Sequence, residues 1–276
     1  MTRRRLSIGS FIPSSSRIDT TNSSTMADSG TKGESLHREL KRGGERKYYI
    51  PLESDPEIFT ELVRNLGVEG FEFQDIMSLD PEMLEFVPRP VLALILVYPL
   101  EDDDTTQEEA EKDKPMYDGK GEDEPVVWFA QTIGNACGLY AILHALSNAI
   151  DRSKIRSGSA LDDLLTKAIP LAPRERALAL ESSDAIQSAH TAAANKGISA
   201  VPEAEVITHH HYICFTKSPK NGRVYELNGA SKGPIDTGVI AAGDLLSGGA
   251  LDLVREYIKR TPDNVGFSLM GLVSSS

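Results

Sequence analysis

The chain has 276 residues, 40% of them hydrophobic, with a formal net charge of −12 and a pI near 5.0. That length holds one large domain or two small ones with a substantial core, and the acidic balance argues against nucleic acid and anionic membrane as partners while favouring a basic protein surface. Two cysteines without a recognisable secretory signal point to free thiols in a reducing compartment.

Residues 1–46 are rich in Ser, Thr, Arg and Gly, show no apolar periodicity, and read as a disordered tail. Four arginines and one acidic residue, Asp19, in the first 25 positions give a composition like that of a mitochondrial transit peptide, without the amphipathic helix that would support it. Met26 can equally serve as an internal start. An ordered domain is expected over 47–276. Its first helix is marked by Ile58, Phe59, Leu62, Val63 and Leu66, opens on a Ser54-Asp-Pro-Glu57 capping box and stops at Gly67. Asp80-Pro-Glu82 opens a short helix, and Val91 to Tyr98, too short to cross a bilayer, reads as a strand buried on both faces.

Between Glu101 and Pro125 twelve acidic residues face three lysines, the composition of a solvated, flexible loop. A short strand is expected at Val126–Ala130, then a helix carrying Leu139, Ile142, Leu143 and Leu146 at helical spacing. Further helices are expected over Leu161–Ile169 and from Pro173 to about Gln187, followed by a long loop from His190 to Thr208. His211–Phe215 and Arg223–Leu227 flank Asn221-Gly222 as a hairpin. A helix over Ala250–Lys259 and a strand over Gly266–Val273 close the domain.

Cys137 falls where the Leu139 helix begins. Unpaired N–H groups and the positive dipole end at such a position favour a thiolate, lowering the thiol pKa from about 8.5, and can hold a developing oxyanion. Gln131, upstream of it, can add a side-chain donor. His209, His210 and His211 offer a general base; strand alternation puts His209 and His211 on one face and leaves both open. A metal site using that pair lacks a third ligand of suitable spacing. His144 and Cys214 read as core residues.

Several motifs together resemble the ubiquitin C-terminal hydrolases of the UCH type, papain-like cysteine proteases. They are Pro51-Leu-Glu53, Asp80-Pro-Glu82, Val87-Pro-Arg-Pro90, Gln131-Thr-Ile133, Asn135-Ala-Cys-Gly138, His211-Tyr-Ile213, and Tyr225-Glu-Leu227 followed by Gly229. The resemblance implies an α/β (α+β) fold with a central antiparallel sheet flanked by helices and an active-site crossover loop, at about 188–208 here. It implies hydrolysis of small or flexible adducts from the C-terminal glycine of ubiquitin or a ubiquitin-like protein, in ubiquitin precursor processing and recycling. The roles it implies are Cys137 as nucleophile, His211 as base and Gln131 as oxyanion donor, with Glu53, Glu57 and Asp75 as acidic contacts to ubiquitin.

Asn228 stands where the family pattern carries Asp. An amide oxygen can still orient the imidazole, as in Cys-His-Asn proteases, but brings no charge to the imidazolium. A weakly active or inactive ubiquitin-binding protein is therefore the alternative reading. No cofactor and no metal are expected. The protein is expected to be a monomer that binds neither nucleic acid nor membrane and resides in the cytoplasm, with the nucleus as a second compartment. Because the chain ends soon after its last strand, it is expected to act without a C-terminal regulatory extension.

Overall fold

The computed structural model of the protein describes residues 46–100, 113–197, 210–260 and 266–275. The expected tail 1–46 lies almost wholly outside them, as do the acidic stretch 101–112, the 198–208 part of the crossover loop, and His209.

Helix α1 (Pro56–Asn65) puts Ile58, Phe59, Leu62 and Val63 on its buried face. Its cap is Asp55, whose carboxylate accepts the N–H groups of Glu57 (2.7 Å) and Ile58 (3.4 Å). The Ser54–Glu57 capping box is not formed, because the Ser54 hydroxyl is drawn to that of Ser268, 3.0 Å away. Gly67, at φ +96°, ends the turn that follows the helix, in a backbone region that side chains with a Cβ resist. Strand β1 (Phe71–Asp75), not among the elements expected from the sequence, follows, then α2 (Pro81–Leu84) and β2 (Ala93–Pro99).

The long helix α3 (Cys137–Ala149) leads into α4 (Ala160–Ala168), α5 (Pro173–Glu181) and α6 (Asp184–Ala194). Two helices thus replace the single one expected from Pro173, and residues 188–194 of the anticipated crossover loop are helical. Ser183 caps α6 through the Ile186 N–H at 3.4 Å, and Ile186, Ala189, Ala193 and Ala194 supply its buried stripe. Alanine spacing is a weak signal in a sequence, which is why the segment read as loop.

Strands β3 (His210–Lys217) and β4 (Arg223–Leu227) form the expected hairpin; β5 (Ile235–Ile240), α7 (Gly249–Arg260) and β6 (Ser268–Ser274) complete the chain. The strands make one antiparallel sheet in the order β1-β6-β2-β3-β4-β5. Its centre is buried on both faces. Ala93, Ile95, Val97, Tyr212 and Cys214 point into a core built with α1 and α3–α6, and Leu94, Leu96, Tyr98, Ile213 and Phe215 into a second one closed by α7. Among the described residues no helix is long and apolar enough to cross a membrane.

Val126–Ala130, expected as a strand, joins no sheet. Its backbone is satisfied by side chains of α3 instead. Asn148 acts as a surrogate strand, with its Oδ1 2.7 Å from the Val127 N–H and its Nδ2 2.9 Å from the Val127 carbonyl. His144 Nε2 accepts the Phe129 N–H at 3.0 Å.

Candidate active site

Cys137 is the first residue of α3, a helix so apolar that every residue from Cys137 to Leu146 is buried. Packing against β2 and β3 fixes its axis, and the helix start is thereby held against the sheet. Ala136 precedes it without a side-chain cap, so the first N–H groups stay available to the sulfur or to a ligand.

The thiol is 6% exposed, and burial pushes its pKa up to about 11 against the opposing pull of the Tyr212, Gly138 and Cys137 N–H groups. The expected lowering at a helix start is therefore not what this site does alone. Desolvation of a thiolate outweighs three backbone dipoles. A reactive thiolate here needs a cation beside it. Tyr212, whose N–H reaches the sulfur, directly follows His211 in β3.

His211 is buried at the start of β3, and its Nε2 lies 2.8 Å from Asn228 Oδ1, just beyond the end of β4. The Ala230 N–H donates to that same Oδ1 at 2.9 Å. A backbone N–H can only donate, so the atom between the two is the amide oxygen and His211 Nε2 carries the proton. In the neutral ring, Nδ1 is then the basic nitrogen. Tyr98, opposite His211 in the β2–β3 register, packs edge-on against the imidazole with 5.8 Å between centroids. Asn228 is fully buried, and among the described residues its Nδ2 has no hydrogen-bond partner. An orphaned buried donor of this kind costs about 1–3 kcal/mol.

Gln131 is buried as well. Its Nε2 donates to the Ile133 carbonyl at 3.1 Å, which uses one of the two amide hydrogens. Its backbone N–H donates to the Gly229 carbonyl at 2.7 Å. A Cβ at Gly229 would stand 2.9 Å from that of Gln131, so this close approach requires glycine. The loop between Gln131 and Cys137 is tied down at the Thr132 N–H by the Tyr140 hydroxyl (3.2 Å) and at the Thr132 hydroxyl by the Glu181 carboxylate (3.2 Å). Gly134 exchanges backbone bonds with Lys47 and Tyr49.

The acidic candidates sit on other elements: before α1, in its first turn and at the end of β1. Glu53 is half-buried before α1, and its carboxylate would be 2.7 Å from a Cβ on Gly197, where the chain leaves α6. Glu57 is exposed in the first turn of α1, where its charge faces the positive end of the helix dipole. Asp75, also exposed, ends β1.

His144 and His190 are buried imidazoles with backbone partners. Burial lowers their pKa values to about 3 and about 4. Both are neutral near pH 7. Among the described residues no group of three or more His, Cys, Asp or Glu could hold a metal ion. Trp128 and Tyr98 were not singled out in the sequence. Trp128 Nε1 donates to the Asn228 carbonyl at 3.0 Å, and the one available signal was a lone tryptophan close upstream of the cysteine.

Comparison with known proteins bears on the family and the fold. Residues 49–259 match the family described as "Ubiquitin carboxyl-terminal hydrolase, family 1". "Ubiquitin carboxyl-terminal hydrolase 3" of Arabidopsis thaliana is 34% identical over 228 residues, spanning 82% of this chain and 94% of the relative. "Ubiquitin carboxyl-terminal hydrolase isozyme L1" of Equus caballus is 35% identical over 229 residues, spanning 82% and 98%. Among solved structures, the Trichinella spiralis UCH37 catalytic domain bound to ubiquitin vinyl methyl ester superimposes with a TM-score of 0.63 at 26% identity, covering 86% of this chain and 100% of that one.

Proposed function

The chain belongs to ubiquitin carboxyl-terminal hydrolase family 1, a family of thiol-dependent peptidases, and on that premise we propose that Cys137, His211, Asn228 and Gln131 hydrolyse small or flexible adducts from the C-terminal glycine of ubiquitin. The observation that carries this assignment is the bond from His211 Nε2 to Asn228 Oδ1. It leaves Nδ1 as the nitrogen able to take the thiol proton.

In the reaction, His211 Nδ1 accepts the proton of Cys137 and the thiolate attacks the glycine carbonyl. The oxyanion that forms takes hydrogen bonds from the second Nε2 hydrogen of Gln131 and from the Cys137 N–H. The imidazolium returns its proton to the leaving group, leaving a thioester. Water activated by His211 then hydrolyses the thioester and frees the glycine carboxylate. Because the thiol is held high by burial, the imidazolium is what makes the thiolate accessible.

Hydrolysis of ubiquitin bearing a fluorogenic C-terminal amide tests the reading. Turnover is expected from the wild type, insensitive to chelator, and none above background from Cys137→Ser. Chelator-sensitive turnover that survives Cys137→Ser overturns the thiol mechanism.

A second reading rests on the neutral, partly orphaned amide of Asn228: a protein that binds ubiquitin and turns it over slowly. Asn228→Asp places a charge beside the imidazolium. It is expected to raise kcat and to move the alkaline limb of the pH profile upward, because a carboxylate stabilises the protonated ring. A rate and profile unchanged by Asn228→Asp would show that the amide is no handicap. Ubiquitin as partner is suggested by the ligand of the Trichinella protein, and the acids Glu53, Glu57 and Asp75 suit ubiquitin's basic face. A monomer in the cytoplasm, with the nucleus as a second compartment, is part of the proposal; one chain carries every residue of the proposed chemistry.

A further inference from the structure

We propose that Trp128 is a positioning residue for the reaction, setting through its indole N–H the angle at which Asn228 meets His211. The inference rests on the catalytic reading above.

The stretch from Val127 to Gln131 has no strand partner, yet it holds the Asn228 turn at two adjacent points. Trp128 Nε1 donates to the Asn228 carbonyl (3.0 Å), and the Gln131 N–H donates to the Gly229 carbonyl (2.7 Å). Trp128 is itself fixed from behind. Its carbonyl accepts Arg176 Nη1 at 3.0 Å, and Arg176, fully buried, pairs with the Glu124 carboxylate while its remaining N–H groups go to the carbonyls of Ala168, Ile169 and Leu171. Tyr117 meets the indole edge-on. A continuous set of contacts therefore runs from the Glu124–Arg176 pair through Trp128 to the Asn228 turn, and from Asn228 Oδ1 to His211.

The neutrality of Asn228 gives that path its consequence. Coulomb attraction between a carboxylate and an imidazolium falls slowly with distance and tolerates a small misplacement. A hydrogen bond to an amide oxygen weakens steeply with angle. With Asn at position 228, orientation is all that the third member of the set contributes, and orientation is what Trp128 supplies. Dependence on the indole N–H should be larger with Asn228 than with Asp at the same position.

Trp128 is the single tryptophan of the chain, so replacing Trp biosynthetically alters this position alone. β-(3-Benzothienyl)alanine keeps the bicyclic shape and puts sulfur in place of N–H; 5-fluorotryptophan keeps the N–H and is the control. For the benzothienyl protein kcat on the fluorogenic ubiquitin amide is expected to fall about tenfold, the equivalent of one hydrogen bond, with KM unchanged and the alkaline limb shifted to lower pH. In the Asn228→Asp background the same replacement is expected to cost less than half as much on a logarithmic scale. Should the analogue protein fail to fold, Trp128→Phe removes the N–H while keeping a buried ring. Unchanged kcat and pH profile with only a lowered Tm overturns the proposal, as does an equal loss in both backgrounds. Should the wild type show no turnover, the catalytic reading falls separately. The downfield proton resonance of His211 Nε2–H then decides the positioning: broadened on N–H replacement if the proposal holds, unaltered if it is wrong.

Discussion

His211 lies in the β2–β3 ladder and Asn228 directly follows β4, whose antiparallel pairing with β3 ends at Leu227, so both are carried by strands whose bonds are many and mutually supporting. Gln131 and Cys137 follow a segment with no ladder at all, hung on the side chains of Asn148, His144 and Arg176. The two halves of the site are thus held by different means. A ladder spreads the loss of one bond over its neighbours; a segment carried by buried side chains gives way where one of them is removed.

The sharpest way to break that contrast is Arg176→Met. It leaves the Glu124 carboxylate buried without its partner and frees the Trp128 carbonyl, and is expected to cost about 3–5 kcal/mol in urea unfolding. Glu124→Gln combined with Arg176→Met should recover part of the loss, since no unpaired charge then remains. An equally large loss from a side-chain truncation at the half-buried end of the β3–β4 ladder, for example Lys217→Ala, would show the contrast to be false.

Gln131→Ala comes next and separates chemistry from support. The backbone bond to Gly229 survives the substitution, so the fold should hold while the barrier rises by roughly 3 kcal/mol, a fall of about 100-fold in kcat with little change in KM. A rise in KM at constant kcat would place the side chain in binding rather than in oxyanion stabilisation.

The smallest effect sharpens the comparison through pH. His190 donates from Nε2 to the Ile50 carbonyl at 2.7 Å, and burial lowers its pKa from 6.5 to about 4. His144 is lowered further by the same cause. The unfolded chain takes up protons near pH 6.5 that these native imidazoles refuse. Each therefore contributes stability above pH 6.5 that is lost as pH falls toward its native value, up to about 3 kcal/mol for His190. His190→Gln keeps a donor toward Ile50 and should flatten the fall in urea midpoint between pH 6.5 and 4. His144→Gln should flatten it less cleanly, because His144 Nε2 also accepts the Phe129 N–H and so belongs to the half of the site without a ladder.

The hairpin around Asn221-Gly222, the amphipathic face of α1 and the buried run of β2 were all legible in the sequence, because each is written in local periodicity and turn chemistry. So was the position of Cys137 at a helix start. Strands β1 and β5 were missed. Both are edges of the sheet; β5 alternates half-buried with exposed residues and carries no apolar pattern, whereas β1 does alternate, Phe71 and Phe73 against Glu72 and Gln74, but over only five residues. The Ser54 cap failed because a residue over 200 positions away competes for its hydroxyl. Val126–Ala130 was misread for the complementary reason: a strand-like composition says nothing of whether a neighbouring strand or a helix side chain will satisfy the backbone.

From the sequence alone came the nucleophile and base candidates, the family's motifs, and the Asn at position 228. Residue identity and short-range spacing are sufficient for those. Tertiary structure decided what each of them costs or contributes. The depth at which α3 packs puts Cys137 where desolvation outweighs the helix dipole, and the Ala230 N–H, donating to Asn228 Oδ1, selects which amide atom faces His211. Desolvation and hydrogen-bond angle are properties of distant chain segments brought together, and no window along the sequence contains them.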